Sequence, residues 1–116
     1  MQCTIEQRGT NFLIWRASEV AAFVVLGRYT EQGGRNIADA SNRRKTVEQA
    51  IQQAGGKMTA WYMTLGEYDL VTIVDLPSDE VVLRLALEVA KVGNMKTTTM
   101  RALGAEEVDR TIAAMR

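Results

Sequence analysis

The amino-acid sequence predicts an α+β domain whose elements follow the order β-α-β-β-α-β. Three observations predict it: apolar residues alternate between strand-like and helix-like spacing, glycines or a proline stand where the spacing changes, and two strand-like segments flank one glycine-led turn. A chain of 116 residues has the length of about one domain with one core. We therefore expect a four-stranded sheet that carries two helices.

The first half of the chain predicts a strand and an amphipathic helix. Residues Ala22 to Tyr29 are rich in the residue types that favour strands. Apolar residues then recur at intervals of three and four until Gly55 and Gly56, which end the helix. These apolar positions are Ile37, Ala40, Val47, Ala50, Ile51 and Ala54, and the cluster Arg43, Arg44 and Lys45 is expected to be a solvated helix face.

A hairpin is predicted around Gly66. The second strand is expected from Lys57 to Leu65 and the third from Tyr68 to Leu76, which leaves Gly66 and Glu67 as the loop. A type II′ turn has a positive φ at its first central position, where glycine is favoured. The two strands should therefore pair directly across this loop.

The register of that hairpin divides its side chains between two faces of the sheet, because successive residues of a strand point to opposite sides. One face, expected to lie under the helices, holds Trp61, Met63, Leu65, Leu70 and Val74. The other face holds Tyr62, Thr64, Asp69, Val71 and Ile73. The second set mixes polar and apolar groups, as the wall of a partly polar cavity does.

The second half predicts a helix, a strand and a short terminal helix. Pro77 ends the third strand, Ser78 or Asp79 begins the next helix, and Gly93 closes it. Its apolar positions are Val81, Val82, Leu85, Ala86, Val89 and Ala90, the fourth strand is NMKTTTMRAL, and the terminal helix runs from Ala105 to Met115. The whole order is that of the ferredoxin-like fold, in which both helices cover one face of an antiparallel sheet.

The sheet face away from the helices predicts a homodimer. An antiparallel sheet with one face in water alternates between apolar and polar residues. The segments AFVVL and LVTIV are apolar at both parities. We therefore expect a second copy of the chain to pack sheet against sheet, as in a dimeric α/β barrel.

Composition excludes several classes of function. The chain has no histidine, which removes the usual ligand of zinc and haem, and it has no glycine-rich phosphate loop, so no metal or cofactor is expected. Its 14 basic and 14 acidic residues balance, which disfavours binding to nucleic acid or to anionic membranes. The longest apolar run, Ala21 to Leu26, is too short to cross a bilayer, and Cys3 is the single cysteine, so we expect a cytoplasmic protein.

The candidate ligand-binding residues are those expected near the cavity between two paired sheets: Tyr29, Tyr62, Thr64, Tyr68 and Asp69. Asp69 and Tyr62 are the principal candidates because the register places them on the open face. An alternative remains for Asp69, since an aspartate beside a tight turn often accepts backbone N–H bonds. Tyr68 has a similar alternative as a packing aromatic residue with its hydroxyl at the rim.

Three segments carry a resemblance to a known family. VVLGRYTEQGGRNIADASNR, GGKMTAWYMTLGEYDLVTIVDLPSDE and GNMKTTTMRAL together resemble the GYD domain family, named for a signature that corresponds here to Gly66, Tyr68 and Asp69. The resemblance implies a ferredoxin-like, dimeric α/β-barrel fold of bacterial and archaeal proteins and implies no reaction. Residues 22–116 would form the domain, and residues 1–21 would be a flexible extension or the product of a misplaced translation start.

Three functions are compatible with these expectations. The first is a small-molecule-binding or regulatory module that uses a cavity between the sheets of a homodimer. The second is a cofactor-independent monooxygenase or isomerase in which Asp69 is the base, assisted by Tyr62 or Tyr68. The third is a structural or assembly dimer whose interior is filled by side chains.

Overall fold

The structure, a computed structural model, describes residues 20–115. Its strands are β1 (Ala21–Tyr29), β2 (Lys57–Met63), β3 (Leu70–Leu76) and β4 (Met95–Ala102). Its helices are α1 (Glu31–Arg35), α2 (Ala40–Gln53), α3 (Asp79–Val92) and α4 (Ala105–Ala113), with a short 3-10 helix over Ile37–Asp39. The extension predicted over residues 1–21 lies outside the described residues, apart from its last two positions.

The four strands form one antiparallel sheet in the order β2-β3-β1-β4. This order places β1 and β3 at the centre and leaves β2 and β4 at the edges. It is the strand order of the ferredoxin-like fold, and the predicted fold class is confirmed.

Local sequence signals set the ends of the second long helix, α3. The Ser78 hydroxyl accepts a hydrogen bond from the Val81 N–H at 3.2 Å, which caps the start of α3. Gly93 ends α3 at φ 87°, a left-handed conformation that glycine adopts without steric cost. The predicted helix boundaries near Ser78 and Gly93 are therefore confirmed.

The core lies between the sheet and helices α2 and α3. Its buried side chains are Phe23, Ile51, Val74 and Leu76, packed against by Val47, Val81, Val82 and Leu85 among others. Strand β3 contributes to this core with every second residue. Its alternate residues, starting at Leu70, are buried, and the residues between them are half-buried. Helix α2 lies over β2, whereas α3 lies over β3 and β4. We call this side of the sheet the covered face and the opposite side the open face.

The predicted hairpin has the right register and the wrong loop. Met63 pairs with Leu70, as expected, but β2 ends at Met63 and β3 begins at Leu70. Leu65 and Tyr68 are not joined by a backbone hydrogen bond in the described chain; instead the Thr64 N–H donates to the Asp69 carbonyl at 2.8 Å. The loop is thus longer than two residues. The predicted register puts Leu65 beneath the helices. In the structure Leu65 is fully exposed, because it belongs to this loop.

Candidate functional site

The aspartate of the signature segment joins the β2–β3 loop to the end of β1. The Asp69 N–H donates to the Gly27 carbonyl at 2.8 Å, and Asp69 Oδ2 accepts from the Tyr29 N–H at 2.9 Å. Both bonds cross from the loop to the neighbouring central strand. In the described chain, the Asp69 carboxylate therefore acts as a backbone acceptor, the alternative that sequence analysis left open for this residue.

Tyr68 and Glu67 hold the same loop through Arg28. The Arg28 guanidinium lies 4.6 Å from the centroid of the Tyr68 ring, a cation–π contact, and its Nη2 lies 2.8 Å from Glu67 Oε2. The Tyr68 side chain, with a smaller contribution from the Glu67 charge, raises the pKa of Arg28. Gly66 completes the loop at φ 135°, a conformation that favours glycine. The segment is thereby fixed against β1.

The five predicted ligand-binding residues do not line one pocket. Thr64, Tyr68 and Asp69 lie in the loop, where the Thr64 hydroxyl donates to the Tyr68 carbonyl at 2.6 Å. Tyr62 pairs with Val71 on the open face and is 64% exposed. Tyr29 lies on the covered face, where it lines a cavity. The loop contacts Tyr29 through the hydrogen bond from the Tyr29 N–H to the Asp69 carboxylate.

That cavity has a volume of about 350 Å³ and lies between the sheet and helices α2 and α3. The sheet contributes Val25, Leu70 and Val74, and the helices contribute Val47, Leu85 and Val89. The walls are therefore mostly aliphatic. This cavity differs from the predicted one, which was expected on the other face of the sheet.

Polar groups gather at one end of the cavity. Asp39, Asn42 and Arg43 come from the start of α2, and Tyr29 and Asn94 come from the ends of β1 and α3. Arg43 Nη1 donates to the Asn36 carbonyl at 2.9 Å, whereas the buried Arg43 Nη2 has no hydrogen-bond partner in the described part of the chain. Burial raises the pKa of the Tyr29 phenol, and the positive charge of Arg43 partly opposes that rise.

Sequence analysis missed Arg43 and Arg44 because a run of three basic residues on a helix usually faces water. Both arginines are half-buried and line the cavity, so the expectation of a solvated face is wrong for them. The available signal was their position: each lies three or four residues from an apolar position of the same helix, such as Ala40 before it or Val47 after it. Their stems therefore lie close to the apolar side of α2.

Among residues 20–115, no three histidine, cysteine, aspartate or glutamate side chains are grouped as metal ligands. Within the same range, no helix combines the length and the apolar character needed to cross a membrane.

The sequence signature and the fold together agree with one known family. The model of the GYD domain matches residues 23–112. The chain belongs to the GYD domain family. This match spans all four strands of the sheet, from β1 to β4, and confirms the resemblance carried by Gly66, Tyr68 and Asp69.

One relative of this GYD domain protein has a name that refers to partners. It comes from Thermus thermophilus and is named glutamine synthetase and cystathionine beta-lyase binding protein. The two sequences are 33% identical over 82 residues, which cover 70% of this chain and 86% of the relative. No solved structure matches the chain at comparable significance.

Proposed function

We propose that this GYD domain protein is a regulatory module that acts as a homodimer and binds a metabolic enzyme. The observation that carries the proposal is the similarity, over most of both chains, to a protein named for binding glutamine synthetase and cystathionine beta-lyase. The partner proposed for this chain is accordingly an enzyme of one of these two kinds. A cytoplasmic location is part of the proposal, since the single Cys3 allows no disulfide within one chain.

The open face supports the homodimer. It carries apolar side chains from the two central strands, Val24 and Leu26 of β1 and Val71 and Ile73 of β3, none of which the covering helices α2 and α3 reach. At its edges, Tyr62 is 64% and Met100 is 44% exposed. A contiguous apolar surface of this kind is typical of an interface. A second copy packed sheet against sheet would bury it and complete an α/β barrel.

Helix α4 provides a second apolar surface for the same association. Val108 and Ile112 lie four residues apart on α4 and are exposed, and Met115, two residues beyond the end of the helix, is exposed as well. The start of the helix is capped, because Glu107 Oε1 accepts from the Gly104 N–H at 2.9 Å. An amphipathic helix that follows the last strand and exposes its apolar stripe is suited to packing against a neighbouring subunit.

A small-molecule ligand that modulates enzyme binding completes the proposal. The prediction that Tyr29, Tyr62, Thr64, Tyr68 and Asp69 bind it stays a prediction. Of these, Tyr62 lies where a second copy would pack, and Tyr29 lines the cavity on the covered face. Regulation by a ligand needs a cavity in the module, and the described domain has one between the sheet and helices α2 and α3.

The two other functions have less support. An enzyme that uses Asp69 as its base needs a carboxylate directed at a substrate, whereas Asp69 Oδ2 is bonded to the Tyr29 N–H. A purely structural dimer needs an interior between its two sheets that is filled by side chains, and no feature of the described chain gives it separate support.

The test is a binding measurement with purified components. Glutamine synthetase and cystathionine beta-lyase from the organism that encodes this chain would be immobilised, and the full-length protein would be passed over each by surface plasmon resonance. We expect saturable binding to at least one enzyme. Absence of binding to both would contradict the proposed partner.

The dimer is tested with two matched variants. Ile73→Asp places a charge on the open face, and Leu83→Asp places the same charge at an exposed position on α3. We expect sedimentation equilibrium to give a dimer for the native chain and for Leu83→Asp, and a monomer for Ile73→Asp. A dimer that tolerates Ile73→Asp would show that the open face is not the interface.

A further inference from the structure

We infer that the cavity between the sheet and helices α2 and α3 binds a small monocarboxylic acid with an apolar body, whose carboxylate pairs with Arg43. This inference rests on the ligand part of the proposed function and gives that ligand a place and a chemical class. The apolar body extends along the cavity from Arg43 toward Ile51 and Leu76.

The size and lining of the cavity suit such a molecule. A volume of about 350 Å³ lies within the range of roughly 300–1,000 Å³ that is usual for small-molecule sites. Aliphatic side chains from both layers form the walls, including Val25 and Val74 of the sheet and Val47 and Leu85 of the helices. Walls of this kind bind by removing apolar surface from water and select for shape more than for particular polar groups.

The topology makes the two ends of the cavity chemically different. Helix α2 starts near the end of β1, at Tyr29, and runs back toward the start of β1, while α3 starts after Leu76 and returns toward Asn94. The lining groups near Tyr29 are therefore those at the start of α2 and the end of α3. The opposite end is formed by Ile51, Leu76 and Val82. A ligand that fills the cavity from one end to the other would therefore have one polar end and one apolar end.

The charges at the polar end select an anion. The lining contains Arg43, Arg44 and Asp39. Arg44 has its own partners. Its Nη1 lies 3.8 Å from Glu48 Oε1, and its Cζ lies 5.5 Å from the centroid of the Trp61 ring. Arg43 keeps one buried donor, Nη2, without a partner in the described chain. Arg43 Nη2 has less than 1 Å² of accessible surface, so a small rotation of the Arg43 side chain is needed to turn it toward the cavity. A carboxylate there would then form a strong, charge-assisted bond with a donor that is costly to leave unbonded.

Tyr29 and Asp39 restrict the chemical class of the ligand further. A phenol is protonated near neutral pH, and burial raises the pKa of Tyr29 further, so its hydroxyl is a second donor at the same end. Asp39, whose Oδ1 accepts from Asn42 Nδ2 at 2.9 Å, brings a negative charge to the same lining. A dicarboxylate or a phosphate would meet repulsion from Asp39, and a single carboxylate meets the least.

The test uses octanoate as the probe, with 1-octanol as its uncharged counterpart, and isothermal titration calorimetry on the full-length chain. The variants are Arg43→Gln and, as a matched control, Arg44→Gln, which removes the neighbouring arginine that already has partners. We expect octanoate to bind the native chain, about tenfold or more weaker binding to Arg43→Gln, and a change of no more than about threefold for Arg44→Gln. Equal weakening by both substitutions, or equal affinity for octanoate and octanol, would overturn the assignment.

Methyl NMR spectra of the same titration locate the ligand. We expect shifts at Val47, Leu85 and Val89 in the cavity and little change at Val24 and Ile73 on the open face. A cavity-filling substitution, Ala86→Phe, should abolish octanoate binding while thermal unfolding stays cooperative. Shifts confined to the open face would refute the site, and so would the absence of binding at millimolar octanoate.

Failure of this inference is distinguishable from failure of the proposed function. Enzyme binding and dimer mass are measured on the Arg43→Gln sample as well. If octanoate does not bind while the native chain still dimerises and binds its enzyme, the ligand assignment alone is wrong. If octanoate binds as expected and neither enzyme does, the proposed partner is wrong and the ligand site stands.

Discussion

The two faces of the sheet differ in what covers them more than in their composition. Along β3, Val74 on the covered face is 3% exposed, whereas its neighbour Ile73 on the open face is only half-buried. Both are β-branched residues of the same central strand. The comparison teaches that one face is buried by the helices of its own chain and that these helices leave the other face uncovered.

The largest expected effect is a charge placed on either face of β3. Val74→Asp should lower the free energy of unfolding by about 4 kcal/mol or more, because Val74 is packed among apolar core side chains and an ionised carboxylate would lose its hydration there. Ile73→Asp should lower the stability of the folded monomer by about 1 kcal/mol or less. Urea denaturation of the native chain and both variants checks the difference, at concentrations low enough for the native chain to be monomeric, because association would add to its apparent stability. Similar losses from the two substitutions would mean that the faces are equally buried within one chain.

A smaller effect is expected where the signature segment meets β1. Asp69→Ala removes the acceptor of the part-buried Tyr29 N–H, so it should cost about 1–2 kcal/mol of unfolding free energy. Glu67→Ala breaks an ion pair between side chains that are 49% and 71% exposed, and it should change stability much less, because water screens the pair. The same urea titration compares them. If Asp69→Ala leaves stability unchanged, the bond to Tyr29 does not hold the loop.

Gly66 provides a third comparison within that loop. Gly66→Ala forces a side chain into φ 135° and should cost about 1 kcal/mol, although open space surrounds the position. Gly34 also has no neighbouring atoms but lies in α1 without a positive φ, so Gly34→Ala should be neutral or stabilise by a few tenths of a kcal/mol. Thermal unfolding distinguishes them. A larger loss at Gly34 would show that backbone conformation is not the cause.

The smallest effect is expected in alkaline solution. Burial raises the pKa of Tyr29 in the folded chain above the unfolded value of about 10. Below that value, the protonated phenol makes its full contribution to the free energy of unfolding. Above that pH the unfolded chain ionises first, and stability falls until the pH passes the folded pKa. Tyr29→Phe should therefore lose less stability than the native chain between about pH 8 and about pH 11. Urea midpoints at the two pH values measure this, and equal losses would contradict it.

Local chemistry made most of the fold predictable. Ser78 and Gly93 gave the ends of α3, Gly55 gave a stop after α2, and the position of Gly66 gave the pairing of Met63 with Leu70. Each of these depends on a residue's own conformational preference or on its near neighbours in sequence. Such signals can be read from a single chain.

What could not be predicted depends on contacts between distant segments. The β2–β3 loop is longer than two residues because Asp69 bonds to Gly27 and Tyr29 on another strand. Helix α1 was missed because Gly33 and Gly34 are poor helix formers. It forms because Thr30 caps it, and because Gly33 approaches the Asn94 backbone where a side chain would collide.

The cavity escaped sequence analysis for a related reason. It is the space between α2, α3 and the sheet, and periodicity predicts which side of a helix is apolar without giving the distance between two helices. The burial of Arg43 follows from that spacing as well. Its charge was visible in the sequence, and its unsatisfied Nη2 was not.

The mass of the native chain in solution tests the difference between the two faces most directly. The proposed pairing through the open face predicts that sedimentation equilibrium at micromolar concentration gives twice the chain mass of 12.9 kDa. A mass of one chain under these conditions would contradict the pairing.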